Sequence, residues 1–188
     1  MPRFSKQRLD PVEPPYDAET AAALEALGPP IALFGVLARR PERARAVHGW
    51  GSYYLSRRSA MTLRQRELVI DRTTARCGAG YEFGVHVAVF AGKVGLDSAQ
   101  VASLASGGPD DPCWEDPADR AVLRAVDALY DGDDLSDELW AELVRAVGEE
   151  GAIDLLLVCG WYHAVSYVAR VLRLPDEPGT KGFATTIR

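Results

Sequence analysis

The chain has 188 residues, 47% of them apolar and 26% charged, with a net charge of −6 and a pI near 5.1. That size and balance fit one soluble globular domain. The acidic surplus argues against nucleic acid or an anionic membrane as a partner, because both reward a basic surface.

Residues 1–15 hold four prolines and several charges, and read as an extended arm. Asp17 caps a helix that Gly28 stops. Pro29-Pro30 opens the next segment, Ile31 to Ala38, and Pro41 starts a helix to about Leu55. Thr62 reads as the N-cap of a helix from Leu63 to about Cys77, with Leu63, Glu67, Ile70 and Thr74 on one stripe. Arg64, Arg66, Asp71 and Arg72 fall mostly elsewhere on it. Gly78 and Gly80 interrupt, and a second helix runs from Tyr81 through Gly92.

Gly95 closes that helix, and Asp97-Ser98 caps the next, over 98–105. Residues 107–112 form a loop by composition. Asp116-Pro117 opens a helix to Tyr130, and Ser136 caps one to Val147. The last long helix, Gly151 to about Leu174, is apolar almost all round and is expected to be central. Pro175 ends it and a polar tail, 176–188, follows. No run alternates apolar and polar residues with β-branched enrichment. The prediction is an all-α chain of roughly eight helices, with a single helical domain over 16–175.

Several functions are excluded by what is missing. The N-terminus carries charge but no apolar signal-peptide core, and the apolar stretch 152–172 is broken by Asp154, His163 and Arg170. Neither a signal sequence nor a membrane span is expected. Cys77, Cys113 and Cys159 are odd in number and far apart, which points to a reduced, cytoplasmic protein rather than a disulfide framework. No P-loop, G-x-G-x-x-G, H-E-x-x-H or G-x-S-x-G occurs. No metal and no cofactor is expected.

The chemistry concentrates in Arg76-Cys77-Gly78-Ala79-Gly80-Tyr81-Glu82-Phe83-Gly84-Val85-His86. Glu82 and His86 are four apart, on one helix face, in an apolar setting. A carboxylate beside an imidazole raises its pKa and holds its tautomer, as a general acid or base requires. Glu67, one helix upstream, could meet them across the Gly78–Gly80 break or pair with Arg64 or Arg66 at the surface. Cys77 is either a reactive thiol near Arg76 or a small buried residue. On the last helix Trp161, Tyr162, His163 and Tyr167 form a second cluster. His163 could line the same pocket or be a satisfied structural group. Asp154 stands in an apolar run and needs a partner.

The run Leu63-Arg64-Gln65-Arg66-Glu67-Leu68-Val69-Ile70, with Tyr81-Glu82-Phe83-Gly84-Val85-His86 after it, resembles the carboxymuconolactone decarboxylase family, which includes the alkylhydroperoxidase D-like proteins. The Pro29–Phe34 segment and Gly160-Trp161-Tyr162-His163 are similar too. The resemblance implies an all-α fold and a trimeric or hexameric homo-oligomer. The family's peroxidase branch uses C-x-x-C-x-x-x-H with a Glu twelve residues before the first Cys. Those positions fall on Glu67, Ala79, Glu82 and His86, so both redox sulfurs are absent and peroxide reduction by that route is not expected.

What the resemblance leaves is a cofactor-independent acid/base enzyme acting on a small lactone or enolisable acid. Glu67, Glu82 and His86 are the expected catalytic set, with His86 as general acid or base, Glu82 orienting it and Glu67 as a second proton carrier. Tyr81 or Tyr162 would steady a developing oxyanion. His163 joins the substrate-binding candidates, and a cation is expected from Arg72, Arg76, Arg57 or Arg58. The alternatives are a thiol-dependent antioxidant using Cys77, and a family member that binds a ligand without converting it.

Overall fold

A computed structural model describes residues 6–132 and 134–183. These residues contain eight α-helices and no strand, in agreement with the all-α prediction. They are α1 (Ala18–Leu27), α2 (Ala32–Leu37), α3 (Pro41–Tyr54), α4 (Leu63–Arg76), α5 (Gly80–Phe90), α6 (Ser98–Ser106), α7 (Pro117–Gly132) and α8 (Asp137–Leu172), with a 3-10 turn at Ala91–Val94.

The helix starts follow from their caps. Asp17, Thr62, Asp97 and Ser136 each accept a backbone N–H three residues on, and Thr62 and Asp97 complete capping boxes with Gln65 and Gln100. The two helices expected over 136–147 and 151–174 meet at Gly148. Its φ of 76° breaks α8 into two segments, a conformation glycine reaches without steric cost.

The centre of the bundle is α4. Every residue from Arg66 to Thr74 is buried, including Arg66, Asp71 and Arg72, whereas Leu63 is exposed. The expectation of a narrow apolar stripe with these charges elsewhere is therefore corrected. Helices α5, α6, α7 and α8 all pack on α4 and together bury its middle. Leu68, Val69 and Ile70 join Phe83, Trp114, Val122, Val126, Leu143, Leu155 and Val158 in the main core. Each such side chain, fully buried, contributes about 2 kcal/mol.

The final helix departs from expectation in the opposite way. By length and composition, α8 is apolar enough to cross a membrane. One face of it packs on the core through Leu155, Val158, Tyr162, Ser166 and Ala169, yet Ile153, Leu157, Tyr167 and Val171 on the other face are exposed. Asp154, the charge that needed a partner, accepts hydrogen bonds from the Ser59 hydroxyl and the Ala60 N–H, both at 2.8 Å.

The described parts of the arm and of the tail pack on this same chain. In the arm, the Arg8 N–H donates to the Leu172 carbonyl and the Val12 N–H to the Gly35 carbonyl. After α8 the tail returns over α5. Glu177 accepts from the Ala32 N–H at 2.6 Å and from the Tyr81 hydroxyl at 2.5 Å, and Phe183 stacks on Phe83. The path requires Gly84, where a Cβ would lie 2.8 Å from the Lys181 carbonyl oxygen.

Candidate active site

The turn Cys77–Ala79 brings α5 against α4, so that residues nineteen apart in sequence meet. His86 Nδ1 lies 2.8 Å from Glu67 Oε2. A carboxylate accepts, so Nδ1 carries the proton and donates. The other Glu67 oxygen, Oε1, accepts from Arg66 Nε and Nη2 at 3.0 Å. Across the bundle, the Tyr162 hydroxyl from α8 lies 3.1 Å from His86 Nε2, with the two rings edge to face. Arg66, Glu67, His86 and Tyr162 thus form one hydrogen-bonded chain inside the protein. All four are buried, Glu67 completely.

The pairing differs from expectation in one respect. Glu67, not Glu82, holds the imidazole. Neighbours four apart on a helix can pair, but the Glu67 carboxylate reaches Nδ1 from the facing helix and takes the place that Glu82 was expected to fill. Glu82 is also buried, and its Oε1 has no hydrogen-bond partner. Burial pushes its pKa up to about 7, with His86 opposing and Glu177 assisting. The carboxyl therefore titrates near neutrality.

A further carboxyl was missed by sequence reading. Asp71, one turn beyond Glu67 on α4, is fully buried with neither oxygen partnered. Burial raises its pKa to about 8, against the pull of His86 and with the help of Glu67. Its i+4 spacing from Glu67 was the available signal, masked by the expectation that this side of α4 faced water. For His86, burial alone would lower the pKa. The Glu67 hydrogen bond and charge, with Asp71 and Glu82, outweigh it, and the net shift is upward. Burial, with the charges of Glu82 and Glu67, raises the Tyr162 hydroxyl well above its ordinary range.

Other candidates lie elsewhere. Tyr81 commits its hydroxyl to Glu177 and to the Leu33 N–H, as a clamp between α5, the tail and α2. Arg72 is held by both oxygens of Asp127 and by the Ser103 and Leu104 carbonyls, because its helix face points at α6 and α7. Arg76 pairs with Asp131 and Asp127, and Arg58 donates to the Ser52 carbonyl. The cation beside the site is instead Arg66, for which helical periodicity gave no signal. His163 follows Tyr162 in sequence and so points away from His86. It stacks on Tyr130 and Tyr167 at an open cleft of about 190 Å³ lined also by Thr73, Leu156 and Cys159.

Cys77 and Cys159 are poorly placed for nucleophilic work. Burial pushes Cys77 up, only partly offset by Ser166 and Arg170. Burial pushes Cys159 up to about 12. Thiolate is the reactive form, so neither position favours peroxide chemistry. Among the described residues no group of three or more His, Cys, Asp or Glu is arranged to hold a metal ion.

No family model matches the chain, and no curated protein matches its sequence. Solved structures do match. One is an Agrobacterium tumefaciens protein of unknown function, provisionally described as the antioxidant defence protein AhpD. It has 20% identity and a TM-score of 0.65, over 74% of this chain and 93% of its own. The fold is AhpD-like. A second match is a cysteine-to-alanine variant of the debrominase Bmp8, in complex with 2,3,4-tribromopyrrole. It has 16% identity and a TM-score of 0.63, covering 92% of this chain and 93% of that one. The AhpD-like architecture agrees with the family that the Glu67–Tyr81–His86 pattern resembles.

Proposed function

We propose that this protein is a cofactor-independent acid/base enzyme acting on a small lactone or enolisable acid. The reaction is proton transfer at a carbon beside a carbonyl, with or without loss of CO2, or base-assisted attack of water on the lactone carbonyl with release of the ring oxygen. The observation that carries this reading is the buried Glu67–His86–Tyr162 chain with Glu82, whose Oε1 is buried without a partner, beside it.

Each group has a role set by its surroundings. Glu67, neutralised by Arg66, fixes the His86 tautomer and stabilises the imidazolium when it forms. His86 accepts or delivers the proton through Nε2, and Tyr162 passes it on or donates to an oxyanion. Glu82, with a pKa of about 7, is the second proton carrier, because a near-neutral pKa suits both directions of transfer. This exchanges the parts first expected of the two glutamates. An enzyme among the structural neighbours, the debrominase, supports activity at the level of the fold. The free cysteines support a reducing, cytoplasmic setting, and the family resemblance supports a homo-oligomer.

The test is a panel of enolisable acids and lactones in D2O, followed by NMR for α-proton exchange and product. The wild type is expected to exchange or convert at least one class. His86→Gln and Glu82→Gln should lose at least a hundredfold in rate, and Cys77→Ser should be unaffected. Binding across the panel without exchange or product would favour a non-catalytic ligand-binding protein. Loss on Cys77→Ser alone would favour the thiol.

A further inference from the structure

The exposed face of α8 carries a pattern that folding of one chain does not use. Ile153, Leu157, Gly160, Ala164, Tyr167 and Val171 follow one another at steps of four, three, four, three and four residues. All six are exposed, with Ile153 at 46%, Leu157 at 43%, Tyr167 at 59% and Val171 at 53%. A strict alternation of three and four is the seam of a helix that packs on another helix. It runs about 27 Å, at 1.5 Å per residue.

The seam is also a mirror of itself. Reversing the helix about Tyr162 sets Ile153 opposite Val171, Leu157 opposite Tyr167 and Gly160 opposite Ala164. Bulky residues meet bulky ones at both ends and small ones meet at the crossing, where backbones approach most closely. Gly160 is otherwise unexplained. A Cβ there would meet nothing within 4 Å in this chain, although glycine weakens a helix interior relative to alanine. Charge agrees with the reversed pairing. The acidic start of this segment, Glu149 and Glu150, would face the basic end with Arg170 and Arg173, whereas a parallel pairing would bring like ends together.

We infer that α8 is the self-association surface of this chain. Two copies pack antiparallel through Ile153–Val171 about a two-fold axis at the level of Tyr162. The exposed parts of Ile153, Leu156, Leu157, Tyr167 and Val171 would bury on the order of 800 Å² over the two copies, taking roughly 150–200 Å² for a whole large side chain. The flanking Trp161, His163 and Val168 extend this towards the 1,200 Å² or so of a specific interface. The inference goes beyond the proposed activity and does not depend on it. It also limits the assembly, because a closed trimer has no two-fold axis, whereas a dimer or a two-fold-symmetric hexamer does.

The experiment is a mass measurement by light scattering and native mass spectrometry on the full chain and three variants, with circular dichroism to confirm helix content. The wild type should be a dimer or an even assembly at tens of micromolar. Leu157→Glu should halve its mass, and so should Gly160→Leu, whose Cβ meets nothing within 4 Å in one copy. Adding Tyr167→Lys to Leu157→Glu should restore the wild-type mass. Only the antiparallel register sets the new carboxylate against the partner's new ammonium. A monomeric wild type, a trimer indifferent to Leu157→Glu, or a double variant that stays dissociated would overturn the inference. So would co-sedimentation of the wild type with phosphatidylcholine vesicles, which would make α8 a membrane surface.

Discussion

Asp71 offers a sharp test of the buried cluster. Its carboxyl is fully buried without a partner, and its pKa rises from 3.8 to about 8. Below about pH 4 it is protonated whether the chain is folded or not. Between about 4 and 8 the unfolded chain has lost that proton and the folded chain retains it, so the unfolded state binds fewer protons and stability falls as pH rises. Each unit is worth about 1.4 kcal/mol, so from about pH 5 to about pH 8 this residue should cost on the order of 4 kcal/mol. Asp71→Asn removes the titration and keeps the shape. Urea unfolding of both proteins at those two pH values supplies the assay, and the comparison cancels groups common to both. The variant should gain roughly 2–4 kcal/mol on the wild type between the lower and higher pH. Equal pH dependence in the two proteins would mean that Asp71 ionises freely and that the interior is wetter than described.

Glu67→Gln removes the negative charge between His86 and Arg66 and leaves one acceptor oxygen in place of two. It should lower the His86 pKa and destabilise the fold by about 3 kcal/mol at neutral pH, read by NMR titration and urea unfolding. His86, raised when folded, contributes stability below its unfolded pKa that is lost as pH climbs through the folded value, and Glu67→Gln should flatten that limb. Gly84→Ala sets a methyl against the Lys181 carbonyl, so the tail should lift and trypsin should cleave after Lys181 several-fold faster, with helix content unchanged by circular dichroism. Arg72→Ala should cost about 3 kcal/mol in urea by taking both close hydrogen bonds from Asp127, which keeps Arg76 at 3.5 Å, without changing the KM of any substrate found. His163→Ala should leave both turnover and the His86 resonances as they are, because its ring packs on Tyr130 and Tyr167 rather than on His86.

Helix positions were legible because their signals are local. Asp17, Thr62, Asp97 and Ser136 cap the helices expected of them, and Gly148 separates the two segments anticipated around it. Burial was less legible, since it depends on how many neighbours a helix acquires. α4 carries Arg66, Asp71 and Arg72 and yet is surrounded, while α8 is apolar and yet has one bare face. The same reason explains the site. Its members Glu67, Glu82, His86 and Tyr162 could be named from type and spacing. Which glutamate bonds the imidazole depends on how α4 and α5 face each other across Cys77–Ala79, and no periodicity encodes that. Arg72, Tyr81 and His163 were drawn off by partners distant in sequence: Asp127, Glu177 and Tyr130.

The central claim is that His86 is a buried imidazole held through Nδ1 by Glu67 and poised at Nε2 to move a proton. Following its ring nitrogens by 15N NMR across pH tests this most directly. The account predicts an Nδ1 proton that persists throughout, shielded from exchange, and a titration at Nε2 above the ordinary value of 6.5. An imidazole that titrates at or below that value, with both nitrogens exchanging freely with water, would contradict it.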